Sequence, residues 1–224
     1  GYHRLLTHRS FTAPVWLQYL MVTCAALSAQ AGPAVWVAIH RHHHAHSDQD
    51  DDPHDASRGF WWSHLGWMLK LTPRRLDDDW TARRASDILS DPYYRFLDRH
   101  FFHLSVFSMW VLFQLGGWSW LLWAGFLRVA AVFHATWLVN SAAHSFGYRS
   151  FRTDDRSTNC WWVALLTFGE GWHNNHHAFP RSARHGLRWW EFDMSWLVLQ
   201  GLEKLGLVRK VKLPTENQKR RFEQ

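Results

Sequence analysis

Residues 101–140 form a forty-residue stretch whose only permanent charge is Arg128, with Gly116-Gly117 near its middle. One helix crosses a bilayer of about 30 Å with roughly 20 apolar residues, so a stretch twice that long predicts a helical hairpin turning at the glycines. A second uncharged run, Thr12 to Ile39, is 28 residues long. Pro14 and the pair Gly32-Pro33 interrupt it, so a single straight helix is not expected there. The mean hydropathy of −0.33 hides this segregation of apolar residues. The 17 tryptophans do not, because membrane–water interfaces select that residue. A length of 224 residues suits one domain. The expected class is an all-α integral membrane protein with a transmembrane hairpin at 101–143 and a histidine-rich cap.

Cys24 and Cys160 are the only cysteines, which excludes a disulfide scaffold or an all-cysteine zinc site and suits a reducing compartment. A metal site must then rest on the 17 histidines. The formal charge of +6 is scattered along the chain without a reader motif, so no nucleic-acid partner is expected. Basic flanks beside apolar segments fit the cytoplasmic surface of a bilayer better. Arg149, Arg152, Arg156, Arg181, Arg184 and Arg188 place the polar region around them on that side. The stretch Gly59–Arg84 reads as interfacial helices and loops. The end of the chain reads as an amphipathic piece followed by a solvated tail.

Four histidine clusters punctuate the chain: His3 with His8; His40, His43 and His44; Asn140 with His144; and His173, His176 and His177. Positions i, i+3 and i+4 share a helix face, so each H-x-x-H-H triplet points its three rings one way. His3 and His8, at i and i+5, are about 140° apart on an ideal α-helix and can straddle an ion only near a helix end. Nine neutral imidazoles exceed what one first-row metal takes, which favours two metals with four or five nitrogens each. A structural zinc closes with four ligands, so the surplus points to redox-capable iron. The carboxylate-rich di-iron scheme needs paired Glu-x-x-His motifs, and only Glu170–His173 matches among five glutamates. Were Thr12–Ile39 one complete span, the first two clusters would lie about 30 Å apart. It is therefore expected to fold back at Gly32-Pro33 or to lie along the interface.

Alone, residues 40–46 could be an opportunistic histidine-rich metal sponge, a reading that the second triplet at His173 argues against. His42, His46, His54, His64, His100, His103, His134 and His185 read as surface or hydrogen-bonding residues. Asp50-Asp51-Asp52 reads as a solvated loop rather than a calcium site. Trp61-Trp62 and Trp189-Trp190 read as interface anchors.

In this order, the strings HRLLTHRSF, HRHHHAHSD, RGFWWSHLGWML, ATWLVNSAAHSFGYR and NCWWVALLTFGEGWHNNHHAFP resemble the membrane-bound fatty-acid desaturases of the delta-9 type, both bacterial acyl-lipid enzymes and animal stearoyl-CoA desaturases. The resemblance spans nearly the whole chain, 1–224, as one desaturase domain. It implies that a first transmembrane hairpin precedes Gly1. It also implies two irons, one held by His3, His8, His40, His44 and His176. The other would take His43, His144, His173 and His177, with Asn140 reaching it through a water. Gln30, Trp36 and Thr136 would line the kink of an acyl tunnel. An oxidant made from dioxygen would remove two hydrogens from adjacent carbons to leave a cis double bond, with electrons from an external ferredoxin or cytochrome b5-like protein. Ala38-Ile39 stands where the animal enzymes carry an Arg-Asp pair that contacts coenzyme A, which favours a lipid-bound or other acyl carrier over acyl-CoA. The rival readings are a hydroxylase with the same ligands and a histidine-rich transporter or metal store. Transporters place their ionisable ligands near the bilayer midplane, whereas here they lie outside the spans.

Overall fold

The uncharged run does not form one helix. In the computed structural model, which describes residues 1–70 and 78–223, it is split into α1 (Val15–Ala26) and α2 (Pro33–His46). Ala29 and Ala31 in the connecting turn both have positive φ. The 12 residues of α1 reach about 18 Å, short of the roughly 30 Å of a bilayer core. The chain therefore folds back, and the start of the chain lies beside the end of α2. Pro33 sits in the first turn of α2, and Gly32 before it has no capping side chain. Asp98 supplies the cap from elsewhere, its Oδ1 accepting from the amides of Ala34 at 3.1 Å and Val35 at 3.4 Å.

Among the described residues eight further α-helices follow: α3 (Trp67–Leu69), α4 (Asp78–Leu89), α5 (Pro92–Trp120), α6 (Arg128–Ser141), α7 (Trp161–Leu166), α8 (His173–Ala178), α9 (Met194–Lys204) and α10 (Glu216–Phe222). Among the described residues the β-type pairings are isolated bridges, such as Thr12 with Arg209. The interfacial reading of Gly59–Arg84 meets helical turns at 62–69 and α4; residues 71–77 lie outside the described part.

The stretch Pro92–His144 is long and apolar enough to cross a membrane, and it is a hairpin. Its turn lies at Gly116-Gly117, where Gly117 has φ +60° and ψ −152°, a conformation that side chains disfavour. The return strand of helix, Leu121–Leu127 followed by α6, packs against α5. A β-carbon at Gly125 would come within 2.8 Å of the Met109 Sδ, so glycine permits this close approach. Outward lie Phe102, Phe107, Trp110, Trp118, Trp123 and Phe126, all more than half exposed. Such an aromatic surface suits lipid rather than water.

The core joins α1, α2, α5 and α9 through Val22, Val37, Leu97 and Leu199. The Arg41 guanidinium on α2 ties α4 down through Asp87 at 2.7 Å and the Arg84 carbonyl at 2.8 Å. Asp98→Ala should lower the unfolding free energy of the detergent-solubilised protein by about 1 kcal/mol, with Asp98→Asn costing less, because the first turn of α2 loses its acceptor. Thermal denaturation of the three proteins checks this; equal melting temperatures would contradict it.

Candidate metal centre

The first cluster owes its geometry to local helix winding. Tyr2–Thr7 is a π-helical turn, with the His8 amide donating to the His3 carbonyl at 3.2 Å. An i→i+5 repeat brings positions five apart onto one face, which an α-helix cannot do. The His3 and His8 rings lie 4.8 Å apart, centroid to centroid. The triplet on α2 points toward them, α8 brings the second triplet from the opposite side, and His144 ends the short helical turn Ala142–His144 that follows α6.

These elements gather the nine predicted histidines into two groups, His3, His8, His40, His44 and His176 in one and His43, His144, His173 and His177 in the other. Within each group the donor atoms lie within 4.8 Å of one another. In the five-membered group the Nε2 atoms nearly touch: His3 to His176 at 3.1 Å, His8 to His40 at 3.1 Å, His40 to His44 at 3.2 Å and His44 to His176 at 3.0 Å. Neutral imidazoles cannot satisfy all these contacts as hydrogen bonds, since each ring has one N–H. Two nitrogens bound at right angles, each roughly 2.1 Å from one ion, would lie about 3.0 Å apart, so the spacing suits a shared cation.

Carboxylates fix the rings from outside. His3 Nδ1 meets Glu170 at 2.7 Å, His43 Nδ1 meets Asp52 at 2.9 Å, His144 Nδ1 meets Asp48 at 2.8 Å and His177 Nδ1 meets Asp155 at 2.6 Å. A proton held at Nδ1 leaves the Nε2 lone pair facing inward. The Nε2 atoms of His43, His144 and His177 are buried without a hydrogen-bond partner, as are both ring nitrogens of His173. Orphaned buried nitrogens cost about 1–3 kcal/mol each, and four rings whose donor atoms lie within 4.8 Å of one another fit a bound cation. Imidazole donors suit several first-row divalent metals, iron among them.

Burial holds the His8, His40, His43, His44, His173 and His176 rings well below the usual imidazole range, and neighbouring rings reinforce this. Burial alone would raise the Glu170 carboxyl, yet Arg4, His185 and His3 hold it well below its usual range. Burial is likewise outweighed at Asp155 by the hydrogen bond from His177, which lowers its carboxyl.

Several residues in this frame carried no clear signal in the sequence. Asp52, read within a solvated loop, is 2% exposed. The loop places it there because its carboxylate accepts from the amides of Asp48 at 2.9 Å and His54 at 3.1 Å. His42, His54, His64 and His185 are buried rather than at the surface. His64 hydrogen bonds to Ser141 Oγ at 2.9 Å and His134 at 3.1 Å, and His185 pairs with Glu170 at 3.1 Å. Asn174 and Asn175 staple the cap loops: Asn174 Oδ1 accepts from the amides of Ser150 and Phe151 at 2.8 and 2.9 Å, and Asn175 donates to the His185 carbonyl at 2.9 Å. Arg4, 5% exposed, donates to Asp193, Glu170 and the Ala183 carbonyl. Its place between His3 and the i+5 partner hid it among the ligands. Of the flanking arginines, Arg149 donates to the Thr153 carbonyl at 2.7 Å and Arg188 pairs with Glu223, so both also serve internal contacts.

Gln30, Trp36, Thr136 and Asn140 lie together beside the nitrogen groups. They line a cleft of about 420 Å³ whose other walls include His3, His40 and His173. The Gln30 amide donates to Thr136 Oγ1 at 2.8 Å, and Trp36 stacks on His40 at 4.9 Å. A smaller space of about 70 Å³ continues past these residues toward Met68, Phe133 and Trp137.

The family model for fatty acid desaturases matches residues 1–209. The chain belongs to the fatty acid desaturase family. It is 54% identical over 218 residues to an sn-1 stearoyl-lipid 9-desaturase of Anabaena variabilis, covering 97% of this chain and 79% of that protein. It is 51% identical to an sn-1 stearoyl-lipid 9-desaturase of a Synechocystis species, covering 96% of this chain and 67% of the relative. An sn-2 palmitoyl-lipid 9-desaturase of a Nostoc species is 48% identical, with 94% and 74% covered.

For this desaturase the carboxylates outside the rings are the sharpest test of the metal reading. Asp48→Ala, Asp52→Ala and Asp155→Ala should each weaken metal retention about 10–100-fold, because the ring they orient is freed. Metal analysis after chelator competition measures it, and unchanged retention in all three would count against the assignment. The pH dependence follows from the same burial. Unfolded, the rings titrate near about 6.5, while the native rings stay neutral well below that. Below about 6.5 the unfolded chain binds protons that the native chain refuses, so stability falls as pH drops. Asp52 runs the other way, since burial pushes its carboxyl up to about 7, but six rings outweigh one carboxyl. Metal-free protein should therefore melt at a lower temperature near pH 5.5 than near pH 7.5; a higher one would refute the sign.

Proposed function

We propose that this desaturase introduces a cis double bond at the delta-9 position of a lipid-bound fatty acyl chain. The observation that carries the reading is the cleft beside α6, because members of both nitrogen groups face it: His3 and His40 from one, His173 from the other. The names of the three relatives supply the lipid carrier and the position of the bond, and Ala38-Ile39 agrees with a carrier other than coenzyme A.

Two irons held by the nine histidines, with Asn140 reaching the four-membered group through a water, would supply dioxygen reduction to an oxidant able to take hydrogen from an unactivated methylene. The rest falls to the chain's own residues. Ala131, Val132, Ala135, Val139 and Leu166 give the cleft an apolar wall for methylenes. The Gln30–Thr136 hydrogen bond and the Trp36 ring, stacked on His40, put polar groups on the cleft wall beside the ring nitrogens, where an acyl chain would lie. Holding one carbon–carbon bond there supplies positioning and excludes water.

The hairpin anchors the enzyme in the bilayer, and the histidine cap lies on the cytoplasmic side, as the basic flank suggests. Two electrons come from a separate ferredoxin or cytochrome b5-like protein. A cleft lined by Thr7, Arg9, Arg41 and Arg181 reaches the His8 and His44 rings and offers an acidic donor a cationic approach.

His43→Ala or His176→Ala in the full-length protein should abolish monounsaturated product, at least about 100-fold, while membrane insertion persists. Gas chromatography of lipids from expressing cells reads the product, together with metal content of the purified protein. Retained alkene would overturn the reading, and an alcohol in place of an alkene would favour a hydroxylase.

A further inference from the structure

Five of the 14 residues of α2 lie on its histidine-rich end, His40, His42, His43, His44 and His46, and the two nitrogen groups use only three of them. His42 and His46, spaced i and i+4, share the opposite face. Their ring centroids are 4.7 Å apart. His42 Nε2 lies 3.1 Å from Asp51 Oδ2, and donor atoms of His42, His46 and Asp51 fall within 4.8 Å of one another. The His42 side chain is 3% exposed and the Asp51 side chain 62%, so the cluster has a fixed inner ligand and an open outer edge.

We propose that His42, His46 and Asp51 form a third metal site, distinct from the two buried groups, for a divalent transition cation of the zinc or ferrous type taken from solvent. Two imidazoles and a carboxylate are a ligand set such ions accept, with water completing the coordination. The location favours a cation as well. His46 is the last residue of α2, where the helix dipole is negative, and Asp50 and Asp51 are both exposed beside it. Arg84 on α4 opposes the ion with its charge; its guanidinium is held 4.3 Å over the Trp80 ring, which in turn makes an edge contact with His42 at 5.4 Å.

An ion here would do more than decorate the surface. It would bind the end of α2 to the loop that carries Asp48 and Asp52, the carboxylates that orient His144 and His43. The loop then loses freedom around two rings of the four-membered group without a ligand being shared.

The test uses iron-loaded full-length protein in detergent, equilibrated with zinc chloride and passed over a desalting column. Elemental analysis should find about one zinc per chain with iron undiminished, and the melting temperature should rise. His46→Ala with Asp51→Asn should lose that zinc and the thermal shift while keeping its iron. X-ray absorption at the zinc edge should show two imidazoles in the wild type. Zinc that only displaces iron, no retained zinc, or equal zinc in the double variant would each overturn the site. Should the double variant fold poorly, His42→Gln in its place must give the same loss.

Discussion

The two histidine groups can turn their lone pairs inward only if ring protons are held outward, and much of the hydrogen bonding around them meets that demand. Each ring carries one proton, so its lone pair faces the interior only if something outside accepts the N–H. Glu170, Asp52, Asp48 and Asp155 do so for His3, His43, His144 and His177, at 2.6 to 2.9 Å. All four lie in segments without regular structure, which need supports of their own. Asp52 is held by two backbone amides, and Glu170 by the buried Arg4. Arg4 is in turn forked onto Asp193. Removing one partner of such a buried pair costs about 3–5 kcal/mol, so damage at Asp193 would travel to His3 through two ion pairs.

That the histidines of the two triplets gather together was legible in the sequence because a helix face has a period, and two H-x-x-H-H triplets reveal it. The hairpin was legible because apolar length is counted directly. The supports were not. Nothing about Asp52 in the run Asp50–Asp52 distinguishes it from its exposed neighbours until the loop folds it under α2. Asn174 and Asn175 lie between histidines of the last cluster, where the triplet draws the eye, yet their side chains tie Ser150, Phe151 and the His185 carbonyl together. The π-helical turn at Tyr2–Thr7 was equally hidden, since local winding is set by what the turn packs against. It removes the difficulty that the i, i+5 spacing of His3 and His8 raises on an α-helix.

The cleft depends on both halves of the molecule. One wall belongs to the hairpin, through Val132, Thr136, Val139 and Asn140, and the other to the cap, through Trp36, His40 and Phe168. Their separation is set by a few cross-links: Gln30 to Thr136 and the Val132 carbonyl, Arg128 to the Leu27 carbonyl, and Asp98 to the start of α2. All three act on the turn between α1 and α2 or on its immediate continuation. That turn, where Ala29 and Ala31 adopt left-handed φ, therefore determines how far α2 and its rings stand from the hairpin. In a bilayer the hairpin's depth is fixed by its lipid-facing aromatics, so depth is passed through these contacts to the cleft. On the proposed function, an acyl chain in the cleft would meet the ring nitrogens at a distance along its length that this linkage sets, so the position of the double bond would have a structural origin outside the histidine groups themselves.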